Sequence, residues 1–203
     1  MDYEKTYVQD VYNTIASEFD VTRTYHWSWI NDFICSIDKG SLIYDIGCGN
    51  GRNMTYPCHR FIGIDACDKF VDICRKKNLE AYPGKMTEIP FPDKSADHII
   101  CIATFHHLYT YDNRITALRE MKRVLKPGGK ILLSVWSKAQ PSKTRVTFDN
   151  YGNNLVPWKK KLTRYYYIFE IDEIKSLFKE TGLNIQTHLY DCGNEVFVLT
   201  ESD

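Results

Sequence analysis

The chain carries no excess charge of either sign: 26 Lys and Arg stand against 26 Asp and Glu in 203 residues. That balance excludes a highly basic nucleic-acid coat and an acidic solvating tail, although a neutral total leaves room for a local basic face. No apolar run approaches the ~18 residues needed to span a bilayer. The opening stretch MDYEKTYVQDVYNTIASEF has no basic segment followed by an apolar one, which predicts no secretory leader. Cys-x-x-Cys is absent, and the seven cysteines are odd in number and scattered from Cys35 to Cys192. A closed zinc site and a disulfide framework are both unsupported, no metal site is expected, and the thiols point to a reducing, cytoplasmic setting. Repeats and low-complexity tracts are also missing. What is present, 43% hydrophobic and 14% aromatic residues, suffices for one core, so residues 1–203 read as a single domain.

Residues 3–19 place Tyr7, Val8, Val11, Tyr12, Ile15 and Phe19 on one helical stripe. Trp27, Trp29, Ile30, Phe33 and Ile34 predict a second helix ending near Lys39-Gly40, so residues 1–39 form a helical cap. Strands are then expected at SLIYDI, RFIGIDAC, 96–103 and 130–136, with helices at 70–78 and 115–125 between them. This alternation predicts a parallel sheet covered on both faces. Residues 137–164 are polar and carry Pro141 and Pro157, which reads as an insertion or lid rather than sheet. A helix at 171–181 and strands at 183–190 and 195–200, joined at Cys192-Gly193-Asn194, close the chain with an antiparallel hairpin.

The most informative motif is Asp45-Ile46-Gly47-Cys48-Gly49-Asn50-Gly51, a strand entering a glycine turn. Glycines permit a tight turn and let a ligand reach bare backbone, at the strand ends where open α/β sheets bind. A pyrophosphate site uses G-x-G-x-x-G. Here the spacing is G-x-G-x-G, and Asp45 would repel a pyrophosphate but face an ammonium, which favours the aminocarboxypropyl group of S-adenosylmethionine. Asp65, ending the next strand beside Ala66, can accept ribose hydroxyls. Arg52 either reaches the donor's carboxylate or stays solvated.

Asp45, Asp65, the apolar strand to Ala103 and LKPGGKILLSVW, in that order, resemble the class I S-adenosylmethionine-dependent methyltransferases over roughly residues 40–136. The resemblance implies a Rossmann-like seven-stranded, mostly parallel sheet whose last strand is antiparallel. A narrower resemblance spans nearly the whole chain. YVQDVYNTIASEFDVTRTYHW, DIGCGNGRN, CIATFHHL, LVPWK and RYYYIF are similar in order to the eukaryotic tRNA wobble-uridine carboxymethyl methyltransferases. That family esterifies 5-carboxymethyluridine at the tRNA wobble position. The resemblance implies S-adenosylmethionine, tRNA and a small zinc-binding activator in a heterodimer, and neither DNA nor a membrane.

A carboxylate nucleophile is already ionised near neutral pH, so it needs desolvation and alignment rather than a general base. Arg23 can hold its second oxygen bidentately, the alternative being a surface ion pair. His106 and His107 lie where the acceptor should bind, with packing or capping as the alternative. Trp136 ends a strand on the same edge, as pocket wall or as core. The resemblance places Tyr12 over the methionine end of the donor, unless it is only part of the apolar stripe. One departure stands out: Pro83-Gly84-Lys85-Met86-Thr87-Glu88 has lysine where the family has an acid before the adenine loop. Backbone of Met86, the Thr87 hydroxyl or Glu88 are the substitutes.

Charge gathers after residue 137. Lys138, Lys143, Arg145, Lys159, Lys160, Lys161 and Arg164 face only Asp149, so the segment carries +6 and the rest of the chain −6. Trp158 and Tyr165, Tyr166 and Tyr167 interleave with these cations and suit a stacked base. These residues are the expected RNA contacts, with Tyr166 the stacking candidate; a solvated loop with a tyrosine-rich packing edge is the alternative. A small-molecule methyltransferase acting on a quinone or metabolite carboxylate, and a non-catalytic member of the fold, are the competing functional readings. The basic segment opposes the former, and Lys85 alone favours the latter.

Overall fold

The computed structural model describes residues 2–22, 26–142, 144, 146–159 and 162–202. Five parallel strands form the body of the sheet: β1 (Leu42–Ile46), β2 (Arg60–Asp65), β3 (Ala81–Pro83), β4 (Ala96–Ile102) and β5 (Leu125–Trp136). Two more strands, β8 (Leu183–Asp191) and β9 (Asn194–Glu201), complete it in the order β3-β2-β1-β4-β5-β9-β8. β9 runs antiparallel to both neighbours. This is the sheet that the resemblance implies, with its antiparallel strand last in the chain.

The strands are apolar on both faces because helices cover both. In β1, Ile43 turns to one side and Tyr44 and Ile46 to the other. Ile43 meets α2 (Ser28–Ser36) and α3 (Asp68–Lys76), where Trp29, Ile30, Phe33 and Ile34 face the sheet. Tyr44 and Ile46 meet α4 (Tyr111–Val124) and α5 (Ile171–Glu180), through Ile115, Leu118, Ile174 and Phe178. Each fully buried Ile, Leu or Phe contributes about 1.5–3 kcal/mol of transfer free energy. α4 starts where the Thr110 hydroxyl accepts from the Asn113 N–H at 3.1 Å, an N-cap worth ~1 kcal/mol.

The first apolar stripe is not one regular helix. A π-helical turn, Lys5–Gln9, leads into α1 (Asp10–Thr22). α1 packs not on the sheet but on α3, joining Tyr12, Ala16 and Phe19 to Phe70. The polar segment also contains sheet, against the sequence reading. β6 (Gly152–Trp158) and β7 (Leu162–Ile168) pair antiparallel as a separate hairpin, with Val156 opposite Arg164 and Asn154 opposite Tyr166. Its stability comes from a few inward residues, Val156, Tyr166 and Ile168 on Phe148 and Trp136, which the surrounding Lys and Asn obscure in the sequence. β3, with three residues, is too short to show a periodicity.

Candidate active site

The loops leaving β1, β2, β4 and β5 open into one cavity of about 620 Å³. α1 and the β6–β7 hairpin roof it: Phe19 lies 6.3 Å from Trp158, and Lys159 pairs with Glu18 at 2.8 Å. The floor of one end is the glycine turn. Gly47, Gly49 and Gly51 have φ of 74°, 55° and 75°, a region that L side chains rarely adopt. A Cβ on Gly47 would collide with the Thr104 side chain, whereas Gly49 faces open space apart from Phe19 at 3.9 Å. Gly51 stands away from the cavity wall, against Cys74 and Leu79.

Asp65 braces this turn. Its Oδ2 accepts the Gly49 N–H and its Oδ1 the Cys67 N–H, both at 2.8 Å. Burial lifts its pKa to about 6 against those two donors. Asp45 lies behind the turn, 1% exposed, and its Oδ2 has no hydrogen-bond partner. Burial, reinforced by the Asp65 charge, raises Asp45 to about 8, with Arg52 pulling the other way. Arg52 sits at the cavity edge with its guanidinium 4.2 Å from the Trp27 ring centroid. Ala66, Met86 and Thr87 line the same end. Lys85 is exposed at the rim, its backbone bridged to Glu88 across the Met86-Thr87 turn.

The other end is built from β4, β5 and the hairpin. Ala103 leaves β4 with φ of 52°, unusual for a residue with a Cβ, and its N–H donates to the Ser134 carbonyl and hydroxyl, each at 3.0 Å. The turn Phe105–His107 follows, with both histidines buried. The His107 Nδ1–H donates to the Tyr165 carbonyl at 2.6 Å, which leaves Nε2 to accept from the Tyr12 hydroxyl at 3.0 Å. The Tyr166 hydroxyl is 3.3 Å from that of Tyr12. Burial brings His107 down to about 3, and the Arg164 charge adds to the effect. His106 stands behind the wall: its Nδ1 accepts the Trp136 N–H at 3.0 Å, and its Nε2 has no partner. Burial, His107 and Arg164 hold it well below the ordinary histidine range.

Trp136 and Tyr166 stack at 4.6 Å and wall this end. Tyr166 is 2% exposed, so it faces inward and is not on an outer RNA surface. Arg164, expected among the outer cations, is 5% exposed and also lines the cavity. Its guanidinium stands 4.7 Å from the Trp158 ring and 5.3 Å from that of Tyr166. Lys138 and Lys159 remain outside: Lys138 lies over the Tyr151 ring at 4.7 Å. Arg23, Lys143, Arg145, Lys160 and Lys161 lie outside the described residues. Sequence reasoning overlooked Thr104, which fills the space that Gly47 leaves, and Gln140, which borders the acceptor end. For Arg164, the signal was present: strand alternation in RYYYI puts it on the face of Tyr166 and Ile168.

Residues 44–133 match the model of a methyltransferase domain. The chain is 42% identical, over 143 residues, to the tRNA (carboxymethyluridine(34)-5-O)-methyltransferase of Xenopus tropicalis, covering 69% of this chain. It spans only about a fifth, 22%, of that relative's length. Over 193 residues it is 32% identical to a protein of Encephalitozoon cuniculi named as a candidate methyltransferase, covering 92% of this chain and 91% of that one. Among solved structures, a chain of the Haloferax volcanii complex between the Trm112 methyltransferase activator and a candidate methyltransferase superposes with a TM-score of 0.74. That match covers 97% of this chain and 98% of the other at 18% identity.

Proposed function

Since the chain belongs to the tRNA carboxymethyluridine methyltransferase family of class I S-adenosylmethionine-dependent enzymes, we propose that it methylates the carboxylate of 5-carboxymethyluridine at the tRNA wobble position. The observation that carries this reading is that, among the described residues, no imidazole at the acceptor end can take up a proton; Glu4, a carboxylate on the cavity wall, has its Oε1 committed to the Tyr109 N–H and the Asn113 amide. His107, the described imidazole on that wall, has both nitrogens engaged and a pKa near 3. A hydroxyl or amide acceptor would need its proton removed. A carboxylate arrives ionised, so a wall of neutral donors, aromatic faces and one cation is sufficient.

The donor end fits S-adenosylmethionine. Asp45, buried behind the glycine turn with one oxygen unpartnered, would favour an ammonium on the cavity side of the turn without touching it. Asp65 keeps lone pairs for ribose hydroxyls, and Met86 and Thr87 border the space for a base. Bound there, this group would supply an electrophilic methyl on a cationic sulfur; a carboxylate acceptor brings the compensating negative charge, so no proton would have to move. The protein's part is to hold the acceptor oxygen in line and keep water out. Trp136 and Tyr166 supply the flat apolar walls, while Tyr12, fixed by His107, closes the junction between the two ends.

The reading extends to partners. The basic segment, including Lys138 and Lys159, guides the anticodon arm toward the cavity mouth through phosphate contacts. A small zinc-binding activator forms a heterodimer with the chain; the family and the activator complex among the structural neighbours support it. No helix among the described residues is long and apolar enough to cross a membrane, and all seven cysteines are free thiols, which favours a cytoplasmic site of action. The test is transfer of a labelled methyl group from S-adenosylmethionine to tRNA bearing 5-carboxymethyluridine, with activator present. Transfer that disappears with unmodified tRNA is expected; repeated absence of transfer would overturn the assignment.

A further inference from the structure

Arg164 is the least explained group in the cavity. It is 5% exposed, yet among the described residues no carboxylate lies within ion-pairing distance, and its Nε has no hydrogen-bond partner. The Tyr12 hydroxyl bonds to the guanidinium but brings no charge, and a buried guanidinium without a counter-ion costs several kcal/mol, so a fold keeps one only where something compensates it. Its surroundings are flat and apolar: Trp158 at 4.7 Å, Tyr166 at 5.3 Å and Tyr12 at 6.0 Å. These rings position the guanidinium plane and shield it from water without supplying an anion. The two histidines nearby are neutral, partly because the Arg164 charge disfavours their protonation. The acceptor end is therefore a largely aromatic hollow in which the Arg164 charge has no counter-ion among the described residues.

From this we infer that Arg164 is the carboxylate receptor of the acceptor site: its fork holds the oxygen that is not methylated and so selects charged over neutral wobble-uridine side chains. The inference rests on the proposed function and names the residue that sets its specificity. Two N–H groups of the guanidinium can converge on one carboxylate oxygen and leave the other free to attack, and the pairing is stronger where water is excluded. Esterification removes the negative charge, so the product loses the interaction that held the substrate. The donor also carries a carboxylate, but Arg52, stacked on Trp27, already stands at the glycine-turn end for it.

The experiment measures binding of anticodon stem-loops bearing 5-carboxymethyluridine, its carbamoylmethyl counterpart or its methyl ester to the full chain saturated with S-adenosylhomocysteine. Wild type should prefer the carboxylate by roughly tenfold to a hundredfold. Arg164→Gln should bind all three alike while its affinity for S-adenosylhomocysteine stays at the wild-type value. Retained preference in the variant would overturn the inference, as would a loss of S-adenosylhomocysteine affinity equal to the loss for RNA, which would assign Arg164 to the donor. If Arg164→Gln does not fold, Arg164→Lys serves: keeping the charge but not the fork, it should retain part of the preference, and full preference would count against the role. A wild type that binds the three RNAs equally and transfers no methyl group would instead sink the proposed function.

Discussion

Replacing Asp45 by Asn should stabilise the donor-free protein, and do so more strongly as pH rises. In the fold Asp45 is buried, one oxygen lacks a partner, and its pKa is raised from 3.8 to about 8. The folded state therefore favours the protonated acid, whereas the unfolded chain releases the proton near pH 4. The contribution of Asp45 to stability is most favourable below 3.8 and is lost progressively as pH climbs toward 8. At about 1.36 kcal/mol per pH unit, the full window from 3.8 to about 8 corresponds to an upper bound of about 6 kcal/mol. Relaxation and water entry at the turn reduce this, and about 2 kcal/mol at pH 8 is the expected difference. Asparagine is nearly isosteric with the protonated acid and does not titrate. Thermal unfolding of wild type and Asp45→Asn from pH 4.5 to 8 should give curves that coincide at the acid end. At the alkaline end they should separate by roughly 4–8 °C, at about 2–4 °C per kcal/mol for a chain of this size. With S-adenosylmethionine present the order should reverse, because only wild type can carry a negative charge behind the turn that the ammonium faces. A variant that is destabilised by the same amount at every pH would refute this account of Asp45.

With S-adenosylmethionine saturating, so that the Asp45 ionisation near 8 acts on donor binding alone, the single-turnover rate of methyl transfer should be flat between pH 6.5 and 9, since His107 titrates far below this range; a limb with a pKa near 7 would point to a general base. Gly47→Ala must accommodate both a φ of 74° and a collision with Thr104. Calorimetry should therefore show loss of S-adenosylmethionine binding, together with destabilisation of about 1–3 kcal/mol. Replacing Lys159, Lys160 and Lys161 together with Ala should weaken tRNA binding and flatten the slope of log K against log salt by about 2. Unchanged salt dependence would remove these lysines from the RNA contacts and leave Lys159 with its ion pair to Glu18.

The parts of the site legible in the sequence are those whose chemistry and geometry come from neighbouring residues. Gly47, Gly49 and Asp65 follow their strands directly, and the positive φ of the glycines is a local demand. His107 could be located one turn beyond β4, but not its charge state: that depends on the Tyr165 carbonyl and the Tyr12 hydroxyl, 58 and 95 residues away. Arg164 and Tyr166 illustrate the larger gap. Composition around them is basic and polar, which predicts a solvated loop, while a short hairpin turns both inward through the register of Val156 with Arg164 and Asn154 with Tyr166. A two-residue period is easily missed when tyrosines occupy three successive positions. Lys159 shows the converse, an exposed cation already committed to Glu18 of a distant helix. The main sheet, by contrast, was readable almost throughout, because its strands are long apolar runs bounded by glycine or acidic residues.

The most direct measurement is nucleoside analysis of tRNA after incubation with the full chain, its activator and S-adenosylmethionine. The account predicts conversion of 5-carboxymethyluridine to its methyl ester, with the carbamoylmethyl nucleoside and unmodified uridine left untouched. Methylation at any other atom, or on the neutral side chains as readily as on the carboxylate, would contradict it.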